Sequence, residues 1–365
     1  MAAGISLILF NNENAVDISE LVLEVQWKGR KGASSRSIKV KLLDDDGYNH
    51  ARSGIDATEG HQCIFSYNGS ELFRGMIMTQ TQTDKKTMSI TAYDNGIYLA
   101  NNKDTFTYEN KTAGDIFADC CTRFGLPVGE VAECKYRIPE FIKSKTTAFD
   151  AITDALSLDY DNTGIRHFVV SDKGKLSLIT RRNNIVQWVI GKGSNLISYS
   201  YSKSISNIKT RVKMLSKEDT VVATSINRDR ESKIGIFQDI EKPDEGLTKA
   251  QIIELANVFM RENSIPEVTL SVEALGIPEV ISGVGVFIII DSLGISRTLY
   301  VDSDTHTFQG RNHTMSLDLT YANDINSEVQ NEQYKGNDTT GAGKQYGSHT
   351  WNSNFFNPFK NPNGK

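Results

Sequence analysis

Thr87-Met-Ser-Ile90 and Thr314-Met-Ser-Leu317 are nearly the same four residues, set 227 positions apart. At that same offset Leu72-Phe73 matches Leu299-Tyr300. Upstream, Gly60-His-Gln-Cys-Ile-Phe-Ser-Tyr67 resembles Gly285-Val-Phe-Ile-Ile-Ile290, with a turn two residues longer in the second copy. Each copy reads strand, turn, long strand, turn, strand. Alternating apolar sequences also resemble one another by chance, because a period of two restricts them. A shared offset over two strands and a common order of elements favour duplication instead. Two copies are too few for a solenoid; they predict two related β-barrels in one chain.

Working outward, residues 1–94 hold β-branched runs at Ile5–Phe10, Leu21–Trp27, Ser35–Leu43, Gln62–Tyr67, Glu71–Thr83 and Thr87–Tyr93. Turn chemistry separates them: Asp46-Gly47, Glu59-Gly60, Asn68-Gly69 and Asp84-Lys-Lys86. This is a first β-barrel domain. Residues 95–190 change period. Thr112 with Asp115 and Thr147 with Asp150 each open an amphipathic run, in capping-box spacing with a short acid. A hairpin follows over 166–180, then a strand at 185–190, so 95–190 reads as an inserted small α/β domain. Residues 191–323 are a second β-barrel domain with one helix at about 248–263, opened by Thr248 and Gln251. Hydrophobic periodicity stops at Asn323, and 324–365, rich in Asn, Gly, Ser and Thr, reads as a flexible C-terminal extension. The fold class is mainly β with α+β.

The 365 residues carry 40 basic and 45 acidic side chains, a formal charge of -5. No basic excess is present to track a phosphate backbone, so no specific nucleic acid is expected. The longest apolar run, Val284–Ile290, is strand-length, and no membrane anchor or secretory leader is read. Cys63, Cys120, Cys121 and Cys134 include no CxxC and are expected as free thiols.

Chemical signatures nearly match and fail. Asp159-Tyr-Asp-Asn-Thr-Gly164 begins like a calcium loop, but its twelfth position is Val170. Gly336–Lys344 has Ala342 where a P-loop needs Lys. Asp302, Asp304 and His306, with His313 nearby, could face one side of a strand as metal ligands, although a polar exposed face explains them equally well. Asp44-Asp-Asp46 reads as a solvated turn. No catalytic, cofactor-binding or metal residue is assigned, no cofactor is implied, and the chain is read as not an enzyme.

Ala92-Tyr-Asp-Asn-Gly-Ile-Tyr-Leu-Ala-Asn-Asn102, Asn110-Lys-Thr-Ala-Gly-Asp-Ile-Phe117, Phe124-Gly-Leu-Pro-Val-Gly129 and Ile138-Pro139 follow one another in order. Thr147-Ala-Phe-Asp-Ala-Ile-Thr-Asp-Ala-Leu156 and Gly174-Lys-Leu-Ser-Leu178 continue the series. Together they resemble the XkdQ/YqbQ-type tail proteins of contractile phages and phage-like bacteriocins, related to late-control protein D hubs, over roughly residues 5–325. The resemblance implies a structural baseplate hub: a homotrimer with two tube-like barrels per chain and a small α/β domain. Such a ring joins a sixfold tail tube to a threefold central spike, among other baseplate proteins. It implies a virion or tail-like particle, assembled in the host bacterial cytoplasm and released by lysis. Phage, defective prophage and bacteriocin stay open. The alternatives are a carbohydrate-binding tail module and a tail-associated cell-wall hydrolase.

The extension after 324 has no counterpart in that pattern. Its Trp351, Phe355, Phe356 and Phe359 are aromatics of the kind that anchor interfaces. They are expected to dock on a partner, against the competing reading of a disordered tail or a tuck onto the chain's own barrel.

Overall fold

The computed structural model describes residues 4–11, 14–44, 57–83, 86–180, 185–243 and 247–320. Trp351, Phe355, Phe356 and Phe359, the 336–344 stretch and the Asp46-Gly47 turn lie outside them.

The chain opens with β1 (Ile5–Asn11), β2 (Asn14–Asp17), β3 (Val22–Arg30), β4 (Ser37–Leu43), β5 (Gln62–Tyr67), β6 (Ser70–Gln82) and β7 (Thr87–Tyr93). A middle segment holds α1 (Gly96–Asn101), β8 (Lys103–Thr112), α2 (Ala113–Arg123), β9 (Val128–Val131), β10 (Arg137–Thr147), α3 (Ala148–Thr163), β11 (His167–Asp172) and β12 (Lys175–Thr180). Next come β13 (Ile185–Gly191), β14 (Leu196–Ser204), β15 (Arg211–Leu215), β16 (Val221–Ile226), α4 (Arg228–Ile234), β17 (Gln238–Glu241) and α5 (Lys249–Asn263). The chain returns through β18 (Glu267–Leu275), β19 (Gly285–Ile290), β20 (Ile295–Gln309) and β21 (Asn312–Thr320).

Two compact units part at Tyr199/Ser200 and at Leu270/Ser271. In the larger, the strands of 1–94 and those of 271–320 run in one 13-stranded sheet, ordered β14-β18-β21-β20-β3-β4-β7-β6-β5-β1-β2, with β19 joining β20 to β13. No barrel closed by a continuous ladder occurs among the described residues. The echo is present as topology. β3, β4, β5, β6 and β7 stand in the order β3-β4-β7-β6-β5, and β14, β18, β19, β20 and β21 stand in the order β14-β18-β21-β20-β19.

The registers match in detail. Met76 pairs with Gln62 on one side and Tyr93 on the other; Tyr300 pairs with Gly285 and Thr320. One residue further on, both long strands shift register, after Ile77 and after Val301. Thr87–Ile90 and Thr314–Leu317 are true counterparts, and Met88 and Ile90, like Met315 and Leu317, are buried. The Leu72-Phe73 match to Leu299-Tyr300 is not structural. The hairpin from Tyr300 to Thr320 is three residues longer than that from Met76 to Tyr93, so the counterpart of Tyr300 is Met76.

The first repeat encloses a core of Leu7, Val25, Ile38, Val40, Phe65, Ile77 and Ile90. Each large apolar side chain removed from water contributes about 1.5–3 kcal/mol. In the middle segment, the β8–β10 pair and the β9-β12-β11 sheet carry α2 and α3 on Phe106, Ile116, Phe117, Phe141 and Ile152. Thr112 and Asp115 complete the capping box at α2. At α3, Thr147 accepts from the Asp150 amide. The 159–164 stretch, which begins like a calcium loop in sequence, is the last turn of α3, and Gly164 ends it at φ 70°. The β8–β10 pair is invisible to a helix-period reading of 95–160.

The smaller unit, Ser200–Leu270, has its own sheet, β16-β15-β17, with α5 packing Ile252, Ala256 and Met260 on Val212 and Met214. The span 191–323, expected as one barrel domain, therefore holds a separate body between β14 and β18, and α5 belongs to that body. Its Thr248–Gln251 capping box forms in full.

Candidate assembly surface

β20 is where the two repeats are joined. Along one edge it pairs with β21. Along the other it pairs with β19 from Ile295 to Tyr300 and then with β3 from Ser303 to Phe308, antiparallel. The change of partner coincides with the register shift between Val301 and Ser303.

A buried polar network locks this junction. Arg36, just before β4, donates through Nη1 to Asp304 Oδ1 at 2.9 Å and through Nη2 to Asp304 Oδ2 at 2.5 Å. Asp304 Oδ1 also accepts from the Ser282 amide at 2.6 Å. The guanidinium lies 4.2 Å over the Trp27 ring. Gly29 stands opposite Asp304 in the ladder, and a Cβ there would fall 1.9 Å from Arg36 Nη1. A side chain at position 29 would occupy the volume the guanidinium needs. Behind Arg36, its amide and that of Gly96 both donate to Asp94, whose burial lifts its carboxyl to about 6 against those hydrogen bonds and the Arg36 charge.

His306 and His313 continue the network. His306 Nε2 lies 2.9 Å from the Val280 carbonyl and must donate to it. Nδ1 of the neutral ring then accepts from His313 Nε2 at 2.9 Å. Burial, with the Arg36 charge, pushes His306 down to about 4 against the pull of Asp304. Burial and His306 push His313 down to about 3. His313 stacks on Phe308, which meets Phe65 and Tyr67 of the first repeat.

Of the sequence candidates for metal, Asp304 and His306 are therefore brought together, but Asp304 has both oxygens on Arg36. Asp302 falls at the register shift, and its carbonyl accepts from the Lys31 amide. Sequence reasoning missed another group: His167 Nδ1 stands 3.4 Å from Asp159 Oδ2 and 4.0 Å from Cys134 Sγ, and the three ligand atoms lie within 4.8 Å of one another. Thiol, imidazole and carboxylate are a set a zinc-sized cation accepts. Asp159 is also held by the Tyr136 amide and Thr163 Oγ1, and burial first, then the Asp159 charge, pushes the Cys134 thiol up to about 12. The three residues come from a loop, a helix and a strand, so no spacing motif announces them. All four cysteines are free and buried.

Among the described residues three strands end the sheet: β2 and β14 at the ends of the main order, and β13 beyond β19. β2 is short and closes on Asp17, the blunting expected of a free edge. β14 is longer and mostly exposed. Ile197 on β14 and Trp188 on β13 are 52% and 48% exposed, and Ile185, Val189 and Tyr199 are also exposed.

A profile of the YqbQ-like family matches residues 25–320. The XkdQ protein of the phage-like element PBSX of Bacillus subtilis is 33% identical over 83% of this chain and 94% of its own. Among solved structures, the fold resembles the 43 kDa tail protein of prophage MuSo2 from Shewanella oneidensis (TM-score 0.66, 14% identity, 86% of this chain, 97% of that one). It also resembles the E. coli c3393 protein, a type VI secretion system component described as similar to the T4 tail proteins gp27 and gp5 (TM-score 0.52, 8% identity, 87% of this chain, 77% of that one).

Proposed function

The chain belongs to the YqbQ-like family, and on that premise we propose that it is the structural hub of a contractile-tail baseplate. Three copies form a ring that joins a sixfold tail tube to a threefold central spike. The observation that carries this reading is the repeat within one sheet. A threefold ring of chains that each hold two matching five-stranded sets offers six similar faces, which suits a sixfold partner on one side and a threefold one on the other. The phage-like element of the XkdQ relative and the shared tail-protein fold support the setting. The work done is mechanical, so the chain is read as non-enzymatic, and the two sets as two related barrel-like domains flanking a small α/β domain. Trp351, Phe355, Phe356 and Phe359 are assigned to docking on the spike or a neighbouring subunit.

A carbohydrate-binding module would use an aromatic platform on the sheet. The exposed Trp188 and Tyr199 are accompanied by aliphatic Ile185, Val189 and Ile197, which suits protein contact better than sugar. Light scattering across a concentration series tests the hub reading. A mass of three chains of 40.6 kDa is expected. A monomer, alone and together with tube and spike proteins of the same particle, would overturn it.

A further inference from the structure

Cys134, Asp159 and His167 are not among the groups that lock the repeats together. Cys134 lies in the loop from β9 to β10, Asp159 in α3 and His167 at the start of β11, so all three belong to the middle segment. Cys134 and Asp159 are 7% and 0% exposed, and the His167 side chain is 1% exposed. Buried charges are paired or coordinate metals. Among the described residues the ion pair of Asp159 is with His167, not with Lys or Arg, and at 3.4 Å it is looser than a good N–H···O bond of about 2.7–3.2 Å. His167 Nε2 is buried and has no hydrogen-bond partner. No protein group on that side fixes the tautomer, so Nδ1 can present its lone pair to an ion.

We propose that Cys134 Sγ, Asp159 Oδ2 and His167 Nδ1 bind one zinc ion. Ligand atoms about 2.0–2.3 Å from a tetrahedral zinc stand about 3.3–3.8 Å from one another. Nδ1 is already 3.4 Å from Oδ2 and 4.0 Å from Sγ, and no pair exceeds 4.8 Å, so closing on the ion takes shifts of about 1 Å or less. The surroundings support each ligand. The Gly114 amide, in the first turn of α2, donates to Cys134 Sγ, which favours a thiolate there. The Tyr136 amide donates to Asp159 Oδ1 and leaves Oδ2 to face His167. Such outer hydrogen bonds orient ligating groups. Three protein ligands leave the fourth zinc position to water. Binding releases the Cys134 thiol proton and puts the imidazole proton on Nε2, so affinity rises with pH. The ion then clamps the β9–β10 loop, the end of α3 and β11 to one another. The site does not depend on the hub reading.

Cobalt(II) tests the site as a spectroscopic stand-in for zinc, in the full-length protein after treatment with a chelator. One cobalt per chain is expected, with a thiolate-to-cobalt charge-transfer band and the visible bands of a tetrahedral site, all displaced by one equivalent of zinc. Cys134→Ser is expected to abolish the charge-transfer band, and His167→Gln to weaken zinc binding at least tenfold. Variants of buried residues can unfold, so the unaltered chain supplies a second reading. All four cysteines are free and buried, and Cys63 lies in the core of the first repeat. Zinc is expected to slow alkylation of Cys134 in mild urea, followed by mass spectrometry, at least tenfold beyond any change at Cys63. Cobalt bound without the sulfur band, a band that survives Cys134→Ser in folded protein, or Cys134 alkylation that zinc leaves unmoved relative to Cys63 would each overturn the site.

Discussion

Arg36 and Asp304 lie 268 residues apart in sequence and meet through two parallel N–H···O bonds, 2.9 and 2.5 Å long. Their side chains are 13% and 0% exposed. Arg36 leads into β4 of the first repeat and Asp304 lies on β20 of the second, so the pair fixes how the repeats are joined. A buried pair broken on one side strands a charge, and the penalty is about 3–5 kcal/mol. Arg36→Ala and Asp304→Asn are each expected to lower unfolding stability by about 3 kcal/mol or more in urea titrations. The double variant is expected to lose less than the sum of the two, because neither charge is then left alone.

Gly29 tests the same junction by volume. Gly29→Ala places a methyl where Arg36 Nη1 lies, and overpacking of that kind costs about 1–3 kcal/mol. In an Arg36→Ala background the same change is expected to cost little. An unchanged penalty in both backgrounds, read from urea midpoints, would show that the guanidinium is not what Gly29 accommodates.

The buried titrating groups act in opposite directions. His306 and His313 have folded values of about 4 and about 3, below their ordinary 6.5. The unfolded chain therefore takes up more protons as pH falls, and the stability they contribute is complete above about 6.5 and is lost as pH falls through about 4 for His306 and about 3 for His313. Asp94 has a folded value of about 6 against an ordinary 3.8, so its contribution is present below 3.8 and is lost as pH rises through 6. Replacing both histidines with leucine is expected to flatten the acid limb of a stability profile between pH 6.5 and about 3. Asp94→Asn is expected to remove the opposing loss between pH 4 and 6. Urea midpoints at half-unit intervals would separate the two.

Much of this fold was legible because period and punctuation act locally. Thr87–Tyr93 and Gln62–Tyr67 were bounded correctly by β-branched runs and turns, and Thr112, Thr147 and Thr248 each marked a helix start through a bond made within one turn. The join between repeats was not legible. Whether β20 pairs with β3 depends on residues far apart in the chain, and nothing near Asp304 names Arg36 as its partner. Ser200–Leu270 escaped for the same reason: β15, β16 and β17 look like any other strands until they are seen to pair with one another. The Cys134, Asp159 and His167 group is likewise assembled by tertiary packing.

The docking assigned to Trp351, Phe355, Phe356 and Phe359 predicts a separable effect. Deleting residues 346–365 is expected to leave the unfolding midpoint of the remainder unchanged and to weaken spike association at least tenfold in a pull-down titration. Equal association with and without the segment would reject the assignment without touching the ring.

The body between β14 and β18 predicts that the ring does not need it. The counterpart strands β3 and β4 are joined by residues 31–36 alone. Their ladder and that of β4 with β7 form without an intervening domain. The Ser200–Leu270 unit has its own sheet and its own apolar cluster, so removing it withdraws no side chain from the core of the first repeat. Replacing residues 205–266 with a copy of residues 31–36 is expected to give a folded protein with one cooperative transition and the ring mass of the full chain. Loop-closure entropy favours the shorter connection slightly, by about 0.6 kcal/mol for each halving of length. If the shortened chain folds but stays monomeric while the full chain assembles, the unit takes part in the ring. A shortened chain that assembles confines the ring to the two repeats and leaves the inserted unit for another task.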